Sequence, residues 1–292
     1  MPETSSAPTL ERVPTVDDYK SSAKPTWCPG CGDFGVLNAV YNSLKVKGYN
    51  TEDIVVVSGI GCSSRFPFFV SAYGFHGVHG RAIPISTGVK LANPDLKVLV
   101  VGGDGDAFAI GGGHFIHGMR RNVDVTYVIM DNEIYGLTKG QTSPTSNVGF
   151  ITKSTPKGSV DQPLNPLALA LISGATFVAR GYSAKPKDLA ELIVRGIEHP
   201  GMALIDVYSP CPTFNEINTF KFFRDVIKNV PEDHDPSDRA AAIELAMLDN
   251  PLYCGLFYQT TESESFDRRM QRLQTKDADP RQVLDRLFEQ FS

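Results

Sequence analysis

The sequence predicts an α/β protein built on a doubly wound, mostly parallel sheet. Short β-branched runs recur along the chain, longer segments of helical periodicity separate them, and a turn-forming loop follows each run directly. Runs without apolar/polar alternation suit strands covered on both faces, and helical crossovers between them make neighbouring strands parallel.

In chain order, residues 1–24 are rich in Pro, Ser and Thr and read as a flexible N-terminal arm. A helix is expected over 35–46 and a strand over 54–57. Strands over 97–101 and 125–130 follow, joined by a helix over 107–121. The stretch 140–166 carries Pro144, Pro156, Gly158, Pro163 and Pro166 without periodicity, so it reads as a long irregular loop, a type that often serves function. A helix over 167–173, a strand over 175–178, a helix over 187–198 and a strand over 203–208 complete the pattern. Residues 25–230 thus form one domain. Residues 231–292 begin with Glu232, Asp233, Asp235 and Asp238 and read as a C-terminal helical extension.

A chain of 292 residues with 41% apolar content can bury one large core. Its net charge of -5 supplies no basic field, so neither nucleic acid nor an anionic membrane is an expected partner. The apolar runs fall far short of the roughly 20 residues of a membrane helix. No secretory pattern opens the sequence, and a cytoplasmic location is the default expectation.

In a doubly wound sheet, ligands sit beyond the carboxyl ends of the strands. That rule selects four loops, at 58–62, 102–106, 131–134 and 209–211, which should open on one edge. The strand at 97–101 runs into Gly103-Asp104-Gly105-Asp106, and Gly111-Gly112-Gly113 lies in the helical segment beyond. Glycines admit a close backbone approach, and free N–H groups at a helix start suit a phosphate. Asp104, the Asn132 amide oxygen and the Ile134 carbonyl could complete an oxygen shell around magnesium on a diphosphate. Taken singly, the Gly-Asp-Gly is an ordinary tight turn and Asp131-Asn132 an ordinary helix cap. Taken together, with 26 residues between Gly105 and Asn132, they span one β-α-β unit and resemble the diphosphate signature of thiamine-diphosphate enzymes. The dinucleotide fingerprint fails because Phe108 stands at its third glycine, and no Walker lysine follows Gly113.

Five cysteines include one close pair, Cys28 and Cys31, within Trp27-Cys28-Pro29-Gly30-Cys31-Gly32. Cys62 and Cys211 each end a strand. Four thiolates from three loops suit zinc or an iron-sulfur cluster, and spacing does not choose between them. A thioredoxin-like pair lacks the preceding strand. Cys254 reads as a packed small hydrophobe. His114 and His117, on one helical segment, read as packing residues because no third ligand accompanies them.

The ordered set Trp27 to Asp33, Gly59 to Ser64, His79-Gly80-Arg81, Gly103 to Asp106, Asp131-Asn132, Tyr135 to Gln141 and Ser209-Pro210-Cys211 resembles the β subunit of 2-oxoacid:ferredoxin oxidoreductases, most like the 2-oxoglutarate branch. The resemblance runs from about residue 24 to residue 215 and implies a thiamine diphosphate-binding fold. It implies one 4Fe-4S cluster on Cys28, Cys31, Cys62 and Cys211, and Mg²⁺ on Asp104, Asn132 and Ile134. It also implies thiamine diphosphate contacts from Ile60, Gly61, Cys62, Ser63, His79, Gly103, Asp104, Gly105, Asp106, Asn132, Gly136 and Leu137. The implied reaction is oxidative decarboxylation of a 2-oxoacid with coenzyme A to acyl-CoA, CO₂ and reduced ferredoxin, or its reverse.

Arg65 and Lys139 are candidates for meeting substrate carboxylate, with coenzyme A phosphates an alternative for Lys139, and His79 is a candidate for proton transfer. One thiamine-type domain is present, so a larger α subunit is expected to complete the enzyme, in an αβ or (αβ)₂ assembly. Other readings are a pyruvate or broad-specificity enzyme of the same family, a thiamine decarboxylase or synthase without a redox centre, and a zinc-stabilised binding module.

Overall fold

The computed structural model describes residues 13–273 and 279–291. Its centre is an eight-stranded sheet made of β1 (Ile54–Ser58), β2 (Tyr73–His76), β3 (Lys97–Gly103), β4 (Thr126–Asp131), β7 (Phe177–Tyr182), β8 (Ala203–Tyr208), β9 (Ile227–Asn229) and β10 (Leu252–Gln259). Strand order is β2-β1-β3-β4-β8-β7-β10-β9, and every pairing is parallel except β10 with β7. A two-stranded ribbon, β5 (Ile134–Tyr135) with β6 (Gln141–Thr142), stands apart at the sheet's edge.

Helices cover both faces, which is why the central strands read as unbroken apolar runs. On one face α1 (Asp33–Lys47) and α5 (Pro186–Glu198) bury Val36, Val40, Leu189 and Ile193 against Leu99, Val101 and Ile205. On the other, α2 (Ala82–Ala92), α3 (Gly112–Arg121), α4 (Pro166–Ile172) and α7 (Arg239–Ala246) pack against Val98, Val100, Tyr127 and Leu204. Alternate residues of β3 therefore feed two different cores, as a pleat of period two requires. Local chemistry sets the helix ends: Gly48 closes α1 in the left-handed conformation at φ 64°, and the Asn165 side chain accepts from the Ala168 N–H to start α4. Helices α6 (Phe220–Val226), α8 (Phe266–Leu273) and α9 (Pro280–Phe291) complete the described chain.

The doubly wound parallel sheet is as the sequence predicts, with three local differences. The expected helix over 107–121 is broken: a π-helical turn occupies Gly105–Ile110 and α3 begins only at Gly112, after Gly111. The N-terminal arm is anchored from its described part onward. Tyr19 is fully buried, its hydroxyl donates to the Tyr49 carbonyl at 2.7 Å with the Leu44 carbonyl 3.1 Å away, and the Ser21 N–H donates to the Phe69 carbonyl. An aromatic ring with a satisfied hydroxyl holds the arm there; residues 1–12 lie outside the described residues. The segment expected to be wholly helical also supplies strands, since β10 closes on β7 and buries Phe257. No helix among the described residues is long and apolar enough to cross a membrane.

Candidate functional site

The carboxyl ends of β1, β3 and β4 open on one sheet edge, and a cleft of 560 Å³ lies across them. Residues 60–63 after β1, His79 ahead of α2, residues 103–106 after β3, and Asn132 with residues 134–137 after β4 form its wall, joined by Thr138 and Gln141. Gly105 admits no side chain, because a Cβ there would lie 2.1 Å from the Tyr135 ring. The Tyr135 hydroxyl donates to the Gly105 carbonyl at 3.2 Å, which locks the β3 loop to the β4 loop. The first turn of the π-helix presents N–H groups with no partner inside the helix at this wall, the arrangement that receives a phosphate group.

Beneath the cleft the charge is negative and buried. The Thr145 hydroxyl lies 2.8 Å from both Asp104 Oδ2 and Asp131 Oδ1. One hydroxyl proton shared between two carboxylates satisfies neither fully. Burial pushes the Asp104 carboxyl up to about 6 against hydrogen bonds from Ser143 and Thr145. Burial and the Asp104 charge push Asp131 well up, and burial and Asp104 push Glu133 up to about 8. Such a cluster is short of positive charge, and a hard divalent ion on Asp104 would relieve it. Asn132 shapes its own loop, its Oδ1 accepting from the Ile134 N–H at 3.1 Å. The fit to magnesium is thus in the donor chemistry of Asp104, Asn132 and Ile134.

The cysteine loops meet beside this cleft. Trp27 Nε1 donates to the Cys62 carbonyl at 2.6 Å, the Gly32 N–H donates to the Pro210 carbonyl at 3.1 Å, and the Ser209 hydroxyl donates to the buried Asp33 carboxylate at 2.7 Å. Gly32 must be glycine to permit this approach, because a Cβ would lie 2.5 Å from Ser209 Oγ. The Cys62 and Cys211 sulfurs each lie 3.7 Å from the point where a Gly136 Cβ would sit. Burial raises the Cys31 and Cys211 thiols and pushes Cys62 up to about 11; Asp33 and the neighbouring thiols add to the effect, and Arg65 opposes it at Cys62. Cys28 alone of the four is exposed. Among the described residues, no three His, Cys, Asp or Glu side chains gather tightly enough for a single metal ion.

Every residue expected to contact the thiamine cofactor lines the cleft. Arg65 and Lys139 do not. The Arg65 guanidinium lies 3.1 Å from Thr26 Oγ1, on the sulfur side of Cys62, and Lys139, held at φ 75°, borders a separate cavity of 600 Å³ with Lys153 and Phe214. Sequence reasoning missed Thr138 and Gln141, joined to each other by hydrogen bonds, and it missed Thr145, which lies in a stretch without periodicity. Only the clustering of Ser143, Thr145 and Ser146 hinted at that last role.

Two family models match the chain. One is the thiamine pyrophosphate enzyme, C-terminal TPP binding domain, over residues 31–207; the other is the C-terminal region of the pyruvate ferredoxin oxidoreductase β chain, over residues 211–275. The chain is 43% identical over 268 residues to the β subunit of 2-oxoacid:ferredoxin oxidoreductase 2 from Aeropyrum pernix, covering 88% of this chain and 87% of that one. It is 52% identical over 210 residues to 2-oxoglutarate oxidoreductase subunit KorB from Mycobacterium tuberculosis, covering 70% of this chain and 56% of that one. The 2-oxoglutarate:ferredoxin oxidoreductase of Magnetococcus marinus, solved with 2-oxoglutarate, coenzyme A and succinyl-CoA bound, superposes with a TM-score of 0.89 at 47% identity, over 92% of this chain and 94% of that one. The chain belongs to the β subunits of the 2-oxoacid:ferredoxin oxidoreductases, within the thiamine diphosphate-binding enzymes.

Proposed function

We propose that this β subunit binds thiamine diphosphate through Mg²⁺ on Asp104, Asn132 and the Ile134 carbonyl, and holds one 4Fe-4S cluster on Cys28, Cys31, Cys62 and Cys211. With a larger α subunit it oxidises 2-oxoglutarate in the presence of coenzyme A and passes electrons to ferredoxin in the cytoplasm. The observation that carries this reading is the position of Cys62, which lines the cleft while its sulfur lies beside Gly136 together with that of Cys211. A two-electron oxidation next to a one-electron carrier needs that adjacency. The substrate preference is supported by the 2-oxoglutarate enzymes among the relatives and by the ligands named for the superposed structure.

When bound, thiamine diphosphate supplies a nucleophilic carbon and an electron sink. The chain's residues do the rest. Gly103 and Gly105 let the backbone approach the diphosphate, Asp104 meets the cation, and Tyr135 keeps the two loops in register. His79 is placed at the wall to hold or move a proton. Arg65 and Lys139, outside the cleft, meet substrate or coenzyme A groups that extend beyond it.

The test is anaerobic co-expression with the α subunit, followed by dye reduction assayed with 2-oxoglutarate and with pyruvate. A brown complex with a broad band near 400 nm, the region of thiolate-to-iron charge transfer (on the order of visible wavelengths), and faster turnover of 2-oxoglutarate is expected. A colourless zinc protein, or no reduction with any 2-oxoacid, overturns the reading.

A further inference from the structure

One oxygen of Asp106 gathers three hydrogen-bond partners. Its Oδ1 accepts from the Ile60 N–H at 2.9 Å and the Gly80 N–H at 2.8 Å, and stands 2.8 Å from His79 Nδ1. The residue is 2% exposed, and its Oδ2 is buried without a partner. Gly59 leaves the space for that oxygen, since a Cβ there would sit 2.0 Å from it. Oδ1 is thus fully engaged within the fold.

We propose that Asp106 is a positioning residue that fixes His79 in one tautomer and one orientation, Nδ1–H toward Asp106 and the Nε2 lone pair toward the cleft. The inference rests on the function proposed above and assigns to Asp106 a task distinct from cofactor contact. Two backbone N–H groups are obligatory donors, so Oδ1 is an acceptor, and the imidazole nitrogen facing it must be the one that carries hydrogen. His79 lines the cleft, with the Tyr135 ring 6.4 Å from its own. Nε2 can then take a proton from a donor in the cleft and return it, while Nδ1–H stays bound to Asp106. The proton count balances, and the positive ring that forms lies against a carboxyl oxygen already oriented by two amides. The same three bonds tie the loop after β1, the turn before α2 and the π-helix into one wall, so the histidine cannot swing out without breaking it.

The first test needs no cofactor. The full chain is labelled with ¹⁵N in its histidine rings, and His79 is assigned by the signal lost in His79→Asn. The Nδ1–H pattern is expected in the parent protein, lost in Asp106→Ala and restored in Asp106→Asn, whose amide oxygen can still accept. An Nε2–H pattern in the parent overturns the proposal, and this reading stands even if Asp106→Ala fails to fold.

The second test uses the loaded complex with the α subunit. His79→Asn and Asp106→Ala should each lower kcat by about 10²-fold, a typical general acid–base contribution. The double variant should be no slower than the worse single one, and KM for the 2-oxoacid should hold to within about twofold. Losses that multiply in the double variant overturn the proposal. Failure of the parent complex to oxidise any 2-oxoacid would instead count against the function reading, because the tautomer is read without substrate or cofactor.

Discussion

The indole Nε1 of Trp27 donates to the carbonyl of Cys62 at 2.6 Å, so the loop carrying Cys28 and Cys31 is bonded to the residue that separates sulfur from cleft. Trp27 is itself buried among Phe34, Phe66 and Phe69. Trp27→Phe keeps much of that aromatic packing and leaves the Cys62 carbonyl with only the longer bond from the Arg65 N–H, at 3.3 Å. The expected cost is about 0.5–1.5 kcal/mol in urea unfolding, the net worth of one hydrogen bond. Iron per chain should fall alongside it. Unchanged iron content would show that this bond does not hold the two loops in working register.

Gly136 offers a separation of fold from cluster. A Cβ there would be in ordinary contact with both the Cys62 and Cys211 sulfurs at 3.7 Å, so Gly136→Ala strains nothing in the metal-free chain. It does occupy the space between them. Thermal unfolding of the metal-free variant should match the parent to within about 0.5 kcal/mol, as for benign substitutions, while anaerobic iron incorporation drops.

Acid dependence follows from the buried carboxyls. Burial raises Asp104 from the usual 3.8 to about 6 and Glu133 to about 8. A raised folded-state pKa gives its stability below the unfolded value and loses it as pH rises through the folded one, so these two acids weaken the metal-free chain progressively from about pH 4 to pH 8. A cation needs the ionised form, and its contribution runs the other way. The thermal shift produced by Mg²⁺ with thiamine diphosphate should therefore be small at pH 5 and grow toward pH 8. Asp104→Asn should flatten that rise, and a shift independent of pH in the parent would remove Asp104 from the cation site.

The C-terminal segment is expected to be inseparable from the domain. Phe257 of β10 is fully buried in the core beneath α4 and α7, and Phe257→Ala should cost about 3–5 kcal/mol. A chain ending at residue 230 would strip β7 of its partner and bare that core. It should aggregate or fail to accumulate, and a soluble, cooperative truncated form would restore the reading of 231–292 as an appendage.

The central strands were legible because runs such as Val98 to Val101 leave little alternative to a doubly covered strand. β2 was not: Tyr73, Gly74, Phe75 and His76 are all exposed at the sheet's edge, so no apolar period marks them. Pro84 and Gly88 hide α2, although a proline in the first turn removes no helical hydrogen bond. Gly255 interrupts β10, which declares itself only through its pairing with β7. The cleft was readable where glycines and ligand types sit at strand ends. Thr145 was not, since its task depends on a long loop folding back under Asp104, a contact 41 residues away in sequence.

Of the four sulfurs, Cys211 is buried, Cys31 and Cys62 are half-covered, and Cys28 stands in solvent on a turn of Pro29 and Gly30. An inorganic core seated on these thiols would be walled on three corners and open at the fourth. Charge would leave toward a soluble carrier by that corner, and dioxygen would arrive by the same one. For the cluster proposed above, speed of discharge and vulnerability to air would then be a single property of this turn, neither tuned without moving the other.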